Sequence, residues 1–118
     1  MRSLFENRVH KVSHIIADLG YDGFYITNIT NIRYLTGFTG SAGLLVILNH
    51  KAFFFTDGRY IQQSKQQVKN AEIHIISTNY FDKIKESIKQ FKYDDLEIAF
   101  EAHHMSYAYY TDLINNFS

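Results

Sequence analysis

The chain has 118 residues, 46% hydrophobic and 20% charged, a length and balance that fit one globular domain with a substantial core and exclude the disordered class. Twelve Lys and Arg are matched by twelve Asp and Glu, so nothing in the net charge draws the chain to nucleic acid or to an anionic membrane, and no basic cluster overrides that average. Without cysteine there are neither disulfides nor thiolate zinc sites, and no segment approaches the roughly 18 apolar residues of a membrane span.

The opening residues Met1 to Glu6 lack the apolar stretch of a signal peptide, which makes the cytoplasm the expected compartment. Ser3 and Glu6 form a Ser-x-x-Glu capping box, so a helix is expected from Leu4. Phe5, Val9, Val12, Ile16 and Leu19 follow at spacings of four and three along one face, and Gly20 is a fitting stop. His10 and His14 lie four apart on this helix, the spacing at which paired imidazoles share a metal. Lys11 stands where the glutamate of a zinc-peptidase His-Glu-x-x-His would be, and both histidines lie off the apolar stripe, which points to solvent exposure.

Gly23 to Thr27 reads as a short strand and Asn28 to Leu35 as a polar, weakly helical stretch. Leu44 to Leu48 is a continuous apolar run, as expected of a strand covered on both faces. Asn49-His50-Lys51 is its turn, and Ala52 to Thr56 returns as the partner strand of a central hairpin. Asp57 is placed to cap a helix from Arg59 to Val68 with Ile61 and Val68 inward and its Gln and Lys residues outward. Ala71 to Ser77 is another strand. Asn79 caps a helix carrying Phe81, Ile84, Ile88 and Phe91, Leu96 to Phe100 is the last strand, and Ser106 opens a helix with Tyr110, Leu113, Ile114 and Phe117 inward. The order predicts a single α/β domain, three-layer-like, whose mixed sheet of about five strands is flanked by helices. The chain stops directly after an amphipathic helix, as a domain cut from something longer would.

The segment Thr36 to Gly43 is the expected working surface. Gly37, Gly40 and Gly43 recur every third residue, the composition of a loop that bends sharply and exposes backbone amides. Phe38 has no local apolar partner and reads either as a core plug beneath the loop or as an aromatic contact for a ligand or second subunit. Arg33 is suited to a ligand carboxylate or to bracing the loop through carbonyls. Asp57-Gly58-Arg59 reads as a helix cap with a nearby ion pair. Glu101, His103 and His104 after the last strand are a candidate metal edge or acid–base pair, set against plain solvation of a strand-to-helix connection. Gly40-Ser41-Ala42-Gly43 is neither a phosphate loop, lacking Lys-Ser/Thr and a following helix, nor a nucleophile elbow. On these residues alone the domain is non-catalytic.

Asn31-Ile32-Arg33-Tyr34-Leu35-Thr36-Gly37-Phe38-Thr39-Gly40-Ser41-Ala42-Gly43, then Phe55-Thr56-Asp57-Gly58-Arg59-Tyr60 with Gln63, and later Phe100-Glu101, together resemble the amino-terminal domain of Xaa-Pro peptidases. These are the aminopeptidase P and prolidase relatives, which share the domain with creatinase. The resemblance implies a two-domain parent that hydrolyses the bond preceding proline. Its carboxy-terminal "pita-bread" domain would carry two divalent metal ions, usually manganese, held by two Asp, one His and two Glu. A metal-bound hydroxide there would attack the scissile carbonyl. That domain is absent from residues 1–118, so no catalytic residue, metal ligand or cofactor is assigned to this chain. The implied partners are its own catalytic domain, a second copy in a homodimer, and proline-containing peptides. By motif, Phe38, Thr39 and Ser41 are the implied substrate-proximal residues, supported by Arg33 and Tyr34. Asp57, Gly58, Arg59, Tyr60 and Glu101 are implied as structural, with Arg59 bracing the hairpin. Two other readings share the fold: a non-enzymatic peptide-binding or association module, and a creatine amidinohydrolase relative.

Overall fold

The computed structural model describes residues 3–77, 79–89 and 96–117. Helix α1 (Leu4–Asp18) opens on the expected capping box, with Ser3 and Glu6 each bonding the other's backbone amide. Strand β1 (Gly23–Ile26) follows, then α2 (Ile29–Thr36), capped by the Asn28 side chain. Strands β2 (Leu44–Leu48) and β3 (Lys51–Asp57) form the hairpin. A 3₁₀ turn (Gly58–Tyr60) leads into α3 (Ile61–Gln67), followed by β4 (Glu72–Ile76), α4 (Tyr80–Ile88), β5 (Ile98–Phe100) and α5 (Tyr107–Phe117).

The sheet order is β4-β3-β2-β1-β5, with β1–β2 and β2–β3 antiparallel and the two outer pairs parallel. The hairpin is therefore central and the sheet mixed. All five residues of β2 are buried, because alternate side chains enter different cores. Leu45 and Ile47 join Val9, Ile32, Leu35, Phe38, Phe54 and Val68 beneath α1, α2 and the end of α3. Leu44, Val46 and Leu48 join Phe53, Phe55, Ile76, Ile84 and Ile88 beneath α4, with Tyr109, Leu113 and Phe117 of α5 packed alongside. Two helical layers thus enclose the sheet.

The hairpin turn is Asn49-His50, both left-handed (φ 48° and 70°), as a two-residue turn between twisted strands requires. The predicted helix from Arg59 begins as a 3₁₀ turn, because Asp57 Oδ1 accepts from the Arg59 amide and fixes a tighter start. Four residues expected inward are exposed: Leu19 (66%), Ile61 (41%), Tyr110 (37%) and Ile114 (47%). Leu19 falls just past the end of α1, and α3 turns Ser64 rather than Ile61 to the sheet. The α5 face toward α4 belongs to Tyr109, Leu113 and Phe117. Phe91, expected on the α4 face, lies outside the described residues.

Candidate functional site

The Thr36–Gly43 loop begins where α2 ends. Thr36 is fully buried; its hydroxyl donates to the Ile32 carbonyl at 2.7 Å and accepts from the Phe38 amide at 3.1 Å. That pair of bonds closes the last helical turn and reverses the chain, with Gly37 at φ 82° bonding back to the Arg33 carbonyl. Phe38 is 0% exposed: its ring lies 4.7 Å from that of Phe54 and edge-on to Tyr60 at 5.4 Å. It occupies the position of the core plug, and its ring offers no surface. Gly40 and Gly43 roof it. A Cβ on Gly40 would stand 2.3 Å from Phe38 Cζ, and one on Gly43 would stand 2.9 Å from Phe54 Cε1.

The loop amides expected to be exposed are tied down. Thr39 N donates to Gln67 Oε1 at 2.9 Å, while the Thr39 hydroxyl accepts from Gln63 Nε2 and Gln67 Nε2 at 3.0 and 2.9 Å. Ser41 N donates to the Tyr60 hydroxyl, and the two hydroxyls lie 2.6 Å apart. These bonds draw the Tyr60 phenol below its ordinary range. The buried Thr56 hydroxyl holds the Ala42 carbonyl at 2.6 Å. Gln63 and Gln67, expected to point outward, are instead the clamp that fixes the loop to α3. Their i,i+4 spacing was visible in the sequence; their bonding to the loop, 24 and 28 positions back, was not.

Beside the loop, Tyr34 is 54% exposed and carries the Arg8 guanidinium 4.0 Å above its ring. Arg8 Nη1 also donates to the Tyr34 carbonyl at 2.8 Å. Phe5, Arg8, Thr30, Arg33, Tyr34, Gly37 and Thr39 line a shallow groove there, with Arg33 exposed at its edge. Arg8 belongs to no motif read from the sequence. Of the residues expected near substrate, Arg33, Tyr34 and Thr39 share this groove, whereas Ser41 is bonded to Tyr60 and is not among the residues that line it.

At the end of β3, Arg59 closes on Asp57 through two side-chain bonds of 2.9 Å, and Asp57 Oδ1 also accepts the Arg59 amide. Bonding to Arg59 holds the Asp57 carboxyl below the usual carboxylate range. Gly58, between them, is exposed.

Glu101 is bonded to the chain around the start of α2. Its Oε1 accepts from the amides of Thr27 (2.6 Å) and Asn28 (2.8 Å), and its Oε2 accepts from Asn31 Nδ2 (2.5 Å). It therefore pins the start of α2, the helix that carries the loop, to the far strand β5. His103 and His104 are exposed in the turn that follows. Among the described residues, no three of His, Cys, Asp and Glu are placed as they stand to hold a metal ion.

Comparison with known proteins agrees with this architecture. Residues 8–118 match the model of the creatinase/prolidase N-terminal domain. An uncharacterised peptidase of Bacillus subtilis is 42% identical over 103 residues, which is 87% of this chain and 29% of that protein. The structure of an Xaa-Pro dipeptidase from Bacillus anthracis superposes with a TM-score of 0.87 at 25% identity, covering 97% of this chain and 32% of the other. The N-terminal domain of the cytoplasmic peptidase PepQ from Mycobacterium tuberculosis, solved by itself, superposes with a TM-score of 0.80 at 27% identity over 93% of this chain and 84% of the other. The chain thus spans under a third of the first two relatives. With a match that runs from α1 to the last helix, the chain belongs to the creatinase/prolidase N-terminal domain family.

Proposed function

We propose that this chain serves as the non-catalytic amino-terminal domain of a cytoplasmic Xaa-Pro peptidase, walling the cleft of a dinuclear-metal catalytic domain and supporting a homodimer. The observation that carries the reading is the family match across residues 8–118 together with a loop fixed at every turn. A wall over a cleft has to keep its shape while substrate enters and water is excluded, and a loop held by Gln63, Gln67, Tyr60 and Thr56 has lost the freedom to collapse. Thr39, Ser41, Tyr34 and Arg33 form the face it presents to the peptide. Phe38 acts from beneath, by holding that face in place. The two metal ions, manganese by family habit, would supply the attacking hydroxide from the catalytic domain.

The test is hydrolysis of an Xaa-Pro dipeptide and an Xaa-Pro tripeptide with added Mn²⁺, by this chain and by the complete gene product side by side. Activity only in the longer protein supports the reading, and the substrate preferred separates dipeptidase from aminopeptidase. In that protein Arg33→Ala should raise KM at unchanged metal content. Turnover by the 118-residue chain alone would overturn the non-catalytic assignment, and unaltered kinetics in the variant would remove Arg33 from the cleft.

A further inference from the structure

Away from the loop, α1 and the hairpin turn bring together three histidines far apart in sequence. His10 and His14 occupy successive turns of one helical face, and their Nε2 atoms lie 3.0 Å apart. The His50 ring, at the tip of the β2–β3 turn, is centred 5.2 Å from that of His14 and 6.0 Å from that of His10. We infer that these three imidazoles form a surface site for a borderline divalent cation of the zinc, nickel or copper class.

The geometry supports this directly. Two nitrogens bonded to one tetrahedral or octahedral cation at about 2.1 Å lie roughly 2.9 to 3.4 Å apart. The His10–His14 pair already has that spacing. As the residues stand the site is a pair and not a triad. His50, exposed at the turn, has to rotate its ring toward this pair to supply a third nitrogen. To ligate one cation, both Nε2 atoms must be free of protons, each neutral ring carrying its proton on Nδ1.

The surroundings favour a hydrated cation. His50 separates two small clefts, one lined by Ser13, Asn49 and His50, the other by Glu6, His10, His50 and Asn70. Each contains a buried oxygen without a partner among the described residues, Ser13 Oγ in the first and Asn70 Oδ1 in the second. Such atoms are the usual anchors of ordered water. An all-imidazole donor set selects zinc, nickel or copper over calcium, magnesium or manganese.

The experiment is isothermal titration of Zn²⁺ and, separately, Ni²⁺ into the untagged 118-residue chain. A relative's N-terminal domain is solved by itself, so this part is a suitable sample. The expected result is one ion per chain with a Kd of about 10 μM or tighter, and far weaker uptake of Mn²⁺. His14→Ala and His50→Gln should each weaken binding at least about tenfold, with circular dichroism unchanged. A Kd above about 1 mM for both ions overturns the inference. So does wild-type affinity in either variant, which would leave a helix pair or a different site as the ligand.

Discussion

Replacing Glu101 by alanine should destabilise the domain out of proportion to a half-buried surface side chain. The carboxylate receives two backbone amides, from Thr27 and Asn28, and the Asn31 side chain, at 2.5 to 2.8 Å. A hydrogen bond to a charged group contributes about 1.5 to 3 kcal/mol net. Counting only the two amides and halving for partial exposure gives a loss of about 1.5 to 3 kcal/mol. In a domain of this size that lowers Tm by about 10 °C. Glu101→Gln keeps a neutral carbonyl between the same two amides and should cost about 1 kcal/mol. Thermal denaturation by circular dichroism gives the stabilities, and hydrogen exchange at the Thr27 and Asn28 amides reads the contact itself. Alanine within about 0.5 kcal/mol of the parent would refute the clamp, since that is the range of an ordinary surface change. Equal losses in Gln and Ala would show that charge, not the acceptor position, holds the junction.

Two further outcomes follow from the packing. Gly40→Ala places a methyl 2.3 Å from Phe38 Cζ and 2.8 Å from Tyr60 Cε1, so urea denaturation should show a loss of about 1 to 3 kcal/mol, and an undiminished midpoint would mean the loop does not rest on that ring. Tyr25, joined to the Tyr109 hydroxyl at 2.7 Å, has its phenol pushed far above the ordinary range, first by burial and then by Tyr109. Unfolded tyrosine ionises near pH 10 while the folded chain keeps this proton, so the stability is present below about pH 10 and falls as pH rises beyond it. Urea midpoints should drop between about pH 9 and 11, and less steeply in Tyr25→Phe; identical slopes would dissociate the loss from this pair.

Much of the fold was legible because it is local. The Ser3–Glu6 box, the Asn79 cap and the apolar run Leu44 to Leu48 each declare their element within a few residues, and each stands where expected. Misplaced faces arose where a partner element decides the rotation. Amphipathic spacing alone does not distinguish Tyr109 from Tyr110 on α5, and it is the Tyr25 hydroxyl, 84 positions away, that engages Tyr109. The Glu101 clamp was hidden for the same reason, its amide partners lying 73 and 74 positions back. The histidine pair was visible on α1, but His50 approaches only because β2 packs beneath that helix.

The glycine triad shows how far one pattern underdetermines its cause. Three glycines at equal spacing invite a single explanation in backbone freedom, yet only Gly37 has a positive φ. Gly40 and Gly43 adopt conformations open to other residues and are excluded from bearing a side chain by the rings of Phe38, Phe54 and Tyr60. Two of those rings lie on β3 and the 3₁₀ turn, so the requirement exists only after the hairpin has closed. The loop's rigidity is therefore a property of the packed domain: Phe38 anchors it from below, α3 clamps it from the side, and Glu101 sets the helix from which it springs. A loop built this way transmits damage at any of those points to Thr39 and Ser41, although neither Phe38 nor Glu101 is bonded to either of them.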